Sequence, residues 1–249
     1  QHGDVVRIPP LRVSEERQDN VQQGVLGLLE KSIVHEDEDL IVINKPSGLA
    51  VHGGSGLSHG VIEAFRVLRP ALDGLELVHR LDRDTSGLLL LAKRRRTLVR
   101  LQQLLQSGGI DKRYQAWVEG RWPATRTEIT APLAKNVLRS GERLVTVRQD
   151  GKASLTRFRL LRQEEGASLV EASPITGRTH QIRVHAQFAG HPIVGDTKYA
   201  SDASLRAFRE RGVKRLCLHA HALTIRWGDK PDLQFDAAWE YGEGLPSLV

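Results

Sequence analysis

Gly87-Leu88-Leu89-Leu90-Leu91-Ala92 is an unbroken apolar run, with glycine at one end and Lys93-Arg94-Arg95-Arg96 at the other. It has the length of a strand, and a strand without polar alternation sits at the centre of a sheet, covered on both faces. The chain around it must therefore be layered. No apolar stretch approaches the ~20 residues of a membrane span, and the polar, charged start has no signal-peptide pattern. Cys217 is the single cysteine, which excludes an intrachain disulfide and a thiolate metal cluster. These features fit a soluble protein of a reducing cytoplasm. Lys and Arg number 36 against 30 Asp and Glu, a modest excess that favours a polyanionic partner through release of its counterions.

Around the run, the β-branched segments 33–36 and 40–43 flank an acidic turn and read as a hairpin. Residues 60–68 have a helical pattern. A second helix carries leucines at 98, 101, 104 and 105 and stops at Gly108-Gly109. Strand patterns follow at 114–118, 144–148, 154–161 and 168–172, and a last one runs over 216–227. One helix interrupts them at 180–189, with Thr179 as N-cap, Gly190 past its end and Pro192 beyond. The class is α+β on a mixed, mostly antiparallel central sheet. Residues 1–30 read as a polar extension, with one edge strand at 3–8 stopped by Pro9-Pro10. The folded body is expected from Ser32. The chain has no methionine, which suggests a segment ahead of Gln1.

His79-Arg80-Leu81-Asp82-Arg83-Asp84-Thr85-Ser86-Gly87 places five ionisable side chains just before the central strand. Loops at strand ends are common sites of catalysis, although a solvated turn of self-paired Asp and Arg would read the same. Asp82-x-Asp84-x-Ser86-Gly87 imitates the first half of a calcium loop. Its twelfth position is Lys93, where that loop needs a bidentate Glu, so the match fails. Gly177-Arg178-Thr179-His180-Gln181-Ile182-Arg183-Val184-His185 is the second dense polar segment. Arg178 and Arg183 could reach one cavity beside a helix N-terminus. His180 and His185 are off one helical face, and His219 with His221 lack a third ligand, so neither pair reads as a metal site. Asn44-Lys45-Pro46-Ser47-Gly48 is a tight turn that needs no function. Gly53-Gly54-Ser55-Gly56 is not a phosphate loop, because no Gly-Lys-Ser/Thr follows. Lys93 to Arg96 could track an RNA backbone, or solvate the start of a helix.

Taken together, these segments resemble the RluA-type family of RNA pseudouridine synthases. Arg80-Leu81-Asp82 with Thr85-Ser86-Gly87 is similar to its active-site motif and Asn44-Lys45-Pro46-Ser47-Gly48 to its first motif. Lys112-Arg113-Tyr114 resembles its tyrosine motif, and residues 177–185 its arginine motif. The four occur in the family's order across roughly residues 33–225. Residues 50–56, Ala131-Pro132-Leu133 and Ser140-Gly141-Glu142-Arg143 resemble a branch that acts on large-subunit ribosomal RNA and carries an S4 domain first. On that resemblance residues 1–30 are the remnant of the linker or S4 exit, and residues 31–249 the catalytic domain.

The resemblance implies a pseudouridine synthase fold with a central active-site cleft, working without cofactor or metal on large-subunit ribosomal RNA; a monomer is the default expectation, in the cytoplasm that the cysteine usage fits. It makes Asp82, Tyr114 and Arg183 catalytic. Arg183 would keep a desolvated Asp82 ionised, and Tyr114 would stack on the uracil and could take the C5 proton. Arg80, Lys45, Arg178, His180 and Ile182 would surround the substrate, with Lys45 supporting the active-site loops more than the chemistry. The alternatives are a non-catalytic RNA-binding module and a metal-dependent phosphoesterase using Asp82 and Asp84.

Overall fold

The computed structural model describes residues 23–53, 60–137 and 143–246. The edge strand expected at residues 3–8, the glycine run at 54–56 and residues 140–142 lie outside them. The first element is a helix, α1 (Gln23–Lys31), ahead of the expected start at Ser32. Leu29 is fully buried and Val25 and Leu26 pack beside it. A short apolar stripe is enough to seat a helix on a core, so part of the stretch read as extension belongs to the body.

β1 (Ile33–Glu36), β2 (Leu40–Lys45), α2 (Val61–Leu68), β3 (Glu76–Leu77), β4 (Ser86–Ala92) and α3 (Arg95–Ser107) follow. Then come β5 (Ile110–Glu119), β6 (Glu128–Thr130), β7 (Leu133–Val137), β8 (Arg143–Val147), β9 (Leu155–Glu164) and β10 (Ala167–Pro174). The chain closes with α4 (Gln181–Phe188), α5 (Asp202–Glu210), β11 (Leu218–Ile225) and β12 (Leu233–Asp236). One sheet runs β1-β2-β4-β11-β5-β10-β9-β6, with β3 beside β4 and β12 beside β11; β7 and β8 form a separate ribbon. Within the large sheet β4 and β11 pair in parallel and the other pairs are antiparallel.

β4 is the apolar run, buried along its whole length. Its side chains alternate between two cores, as the two-residue period of a strand requires. Leu89 and Leu91 join Leu29 and Phe65 on one face, and Leu88, Leu90 and Ala92 join Leu98 and Leu101 of α3 on the other. At its start Gly87 has φ 110, and a Cβ there would lie 2.3 Å from the Ala220 carbonyl oxygen. Only glycine lets β4 and β11 close at this point.

The start of α4 differs from expectation. His180, not Thr179, is the N-cap, and it lies in the left-handed region at φ 53. Its carbonyl accepts from Val184 N–H, and the Gln181 side chain accepts from Arg178 N–H and the Thr176 hydroxyl. The preceding turn is thus closed from inside the helix rather than by the Thr179 hydroxyl. α4 is also not the only helix among the later strands. α5 follows, with the Ser201 hydroxyl accepting from Ser204 N–H at its N-terminus.

Candidate active site

Residues 78–85 run into β4, and the turn after β2 holds them in place. Lys45 is fully buried, and its Nζ donates to the carbonyls of Pro46 at 2.8 Å, Leu49 at 2.9 Å and Arg83 at 3.0 Å. Burial pushes Lys45 down to about 7, against the pull of Asp84 and Asp82. Three carbonyls match the three N–H bonds of an ammonium, whereas a neutral amine has two. Gly48 N–H donates to the same Arg83 carbonyl, and the Ser47 hydroxyl to that of Asp84. The loop carrying Asp82 is therefore clasped through its backbone, which leaves the side chains of Arg80, Asp82 and Arg83 free to face outward.

Asp82 faces α4. Its Oδ2 lies 3.3 Å from Arg183 Nη1 and 3.7 Å from His180 Nε2, with the carboxylate 29% exposed and Arg183 4%. The rest of the guanidinium is taken by Asp196, which accepts from Nε at 2.8 Å and Nη2 at 2.7 Å. Burial opposes the charge of Arg183, but Asp196 and Asp82 more than offset it and hold the group firmly protonated. Burial likewise keeps His180 neutral by pushing its pKa down. Its Nδ1 is 2.7 Å from the Tyr199 hydroxyl.

Asp82 opens on two clefts. One, of about 260 Å³, is lined by Arg80, Asp82, Lys112, Tyr114, Arg178, His180, Ile182 and Arg183. The other, of about 560 Å³, is lined by His52, Arg80, Asp82, Asp84, His180, Arg183 and Lys198. Tyr114 and Lys112 project from one face of β5. Burial, reinforced by Asp82, raises Tyr114 so that it stays a phenol. Burial lowers Lys112. Its ammonium has no ion-pair partner among the described residues.

The two polar segments picked out in the sequence thus meet. Asp82, Tyr114, Arg183, Arg80, Arg178, His180 and Ile182 share one cleft, while Lys45 lies beneath the loop. Asp82 and Asp84 do not act as a pair: Asp84 turns to Arg83 Nε at 3.0 Å. Lys93 and Arg94 sit on the acidic 36–39 turn, with Lys93 Nζ 2.9 Å from Glu36, and so pair with that turn at the start of α3 rather than line either cleft. His185 is buried against Thr156, Ser154 and the Ala131 carbonyl. His219 meets Ser86 and His221 meets Glu171, so both are structural. Asp196 and Tyr199 escaped the sequence reading. Each is an isolated polar group in a turn, and only the fold brings it beneath α4.

A single-domain sheet with one parallel pair at its centre, and a carboxylate at that pair's entrance held by a helix arginine, defines the class. The chain belongs to the RNA pseudouridylate synthase family, whose model matches residues 39–188. Over 225 residues it is 51% identical to ribosomal large subunit pseudouridine synthase C of Haemophilus ducreyi, covering 90% of this chain and 70% of that one. It is 52% identical over 225 residues to the protein of that name in Escherichia coli strain K12, covering 89% and 70%. Among solved structures it is similar to human RNA pseudouridylate synthase domain containing 1, with TM-score 0.71 and 27% identity over 88% of this chain and 86% of that one. The family read from the four sequence motifs, and the mostly antiparallel α+β fold it implied, are both borne out.

Proposed function

We propose that this chain converts uridines of large-subunit ribosomal RNA to pseudouridine, with Asp82 as the reacting carboxylate. Its relatives carry that activity in their names. The observation that carries the role of Asp82 is its place between two clefts, with Arg183 3.3 Å away.

The reaction breaks the bond from uracil N1 to ribose C1′, turns the base, and joins C5 to C1′. The C5 hydrogen leaves as a proton, and N1 gains one. No electrons or groups come from outside. The cleft with Tyr114 and Ile182 takes the uracil, whose ring lies against an aromatic and an aliphatic face. The cleft with Arg80, His52 and Lys198 takes the sugar-phosphate chain. Asp82 stands between them, where C1′ must lie, and can serve as nucleophile or base. Tyr114, held as a phenol, fits stacking better than taking the C5 proton, since it would first have to lose its own. Lys112, half-buried and without an anionic partner among the described residues, is placed to donate to a uracil carbonyl. Extruding the base from its stack costs a few kcal/mol, least where it is unpaired, so loops and junctions are the natural targets.

Asp82→Asn tests this, because it keeps the shape and removes the charge. A large-subunit ribosomal RNA transcript should gain pseudouridine with the wild-type protein and none with the variant, while both bind the RNA alike. Turnover by the variant would exclude Asp82 from the chemistry.

A further inference from the structure

We propose that the turn formed by residues 195–199 is a second support of the active site, with Asp196 positioning Arg183 and Tyr199 positioning His180. Both α4 groups that face Asp82 are then set from outside their own helix. The inference rests on the reading of Asp82 as the reacting carboxylate.

The turn has a fixed place on the sheet. Val194 N–H donates to the Trp117 carbonyl of β5, and Cys217 N–H donates to the Val194 carbonyl. Gly195 follows at φ 77, so close to the next segment that a Cβ would lie 2.2 Å from the Arg215 carbonyl oxygen. The stitched strand, β5, is the one that carries Tyr114. Residues on this turn are therefore registered against the same sheet as the uracil-facing wall.

Asp196 is fully buried. Besides accepting from Nε and Nη2 of Arg183, its Oδ1 accepts from Lys198 N–H at 3.0 Å, which closes the turn on itself. A two-point fork fixes the plane of a guanidinium, and here the fork belongs to Asp196. Asp82 receives only the remaining nitrogen. Without Asp196 the guanidinium could rotate to grip Asp82 in a fork of its own, or swing away from it. Either would change the reacting group.

Tyr199 completes the hold. Its ring lies under the Arg183 guanidinium, 5.1 Å from centroid to Cζ, and meets His180 edge-on at 5.6 Å. Val145 N–H donates to its hydroxyl at 3.1 Å, and the hydroxyl's own hydrogen is available to His180 Nδ1 at 2.7 Å. A neutral histidine that accepts at Nδ1 carries its hydrogen on Nε2, the atom facing Asp82. The left-handed backbone of His180 is a conformation that a non-glycine residue keeps only when its surroundings hold it. The Tyr199 contact is such a hold.

The test is a pair of double-mutant cycles, read as single-turnover conversion of a large-subunit ribosomal RNA transcript, with RNA affinity and melting temperature measured alongside. Tyr199→Phe should slow conversion by about tenfold, the loss of one hydrogen bond, with affinity unchanged. In a His180→Ala background it should have no further effect. Asp196→Asn should slow conversion by about 100-fold, the cost of misplacing a group by an ångström, and should add nothing once Arg183→Ala is present. If Asp196→Asn does not fold, Asp196→Glu keeps the charge, moves the oxygens, and carries the same expectation. Wild-type rates in these variants, or effects that multiply with the partner mutation, would overturn the proposal. A wild-type protein without conversion would instead sink the enzymatic reading itself.

Discussion

Lys45 ends β2 with its ammonium sealed from solvent and every N–H used on the loops around Asp82. Its ordinary value is 10.5 and the folded value about 7. Between those values the unfolded chain holds a proton that the folded chain has released, so this residue makes stability rise with pH across that window. Lys45→Met should flatten the rise, measured as unfolding free energy from pH of about 7 to about 10; an unchanged slope would place the titrating group elsewhere. At this scale Asp82 and Arg183 were legible because each stands in a dense polar segment, whereas Tyr114 came only through the family resemblance. Asp196 was not legible. A buried carboxylate is defined by its partner, and Arg183 reaches it only after the chain has turned through α4 and the 190–195 connection.

At the scale of elements, β4 was the easiest to read. A strand covered on both faces has no polar side to break its apolar run, and Leu88 to Leu91 divide between two cores. α1 was hidden because its apolar segment, Val25 to Leu29, is only five residues long and broken by Gly27, too short to declare a helical period. β3, β6 and β12 span four residues or fewer, too short for alternation to declare itself. α5 did carry a signal in Ser201, a good N-cap with Leu205 and Phe208 on one face behind it. The junction of β4 and β11 gives the sharpest test of element packing. Gly87→Ala would meet both a left-handed φ and the Ala220 backbone. It should cost at least about 2 kcal/mol of stability, the scale of such strain, read as a lower denaturant midpoint. A midpoint within error of wild type would show that the two strands can separate there.

For the whole molecule, the order of the sheet was beyond the sequence. The parallel pairing of β4 with β11 joins residues 86–87 to residues 219–220, and no local pattern encodes a contact at that separation. That pairing nevertheless places the Asp82 loop beside β5 and α4, and so makes one site of segments far apart in the chain. The net charge of +6 and the cationic side chains lining the clefts belong to this scale too. RNA affinity should fall as salt rises, with a log–log slope of about −0.7 for each phosphate contacted on single-stranded segments. A flat response would separate RNA binding from the basic clefts.

The most direct measurement is a map of pseudouridine across large-subunit ribosomal RNA in cells deprived of this protein, then supplied with the wild type or with Asp82→Asn. Sites lost on removal should return with the wild type and stay absent with the variant. Their return with the variant, or a map that removal leaves unchanged, would contradict the account.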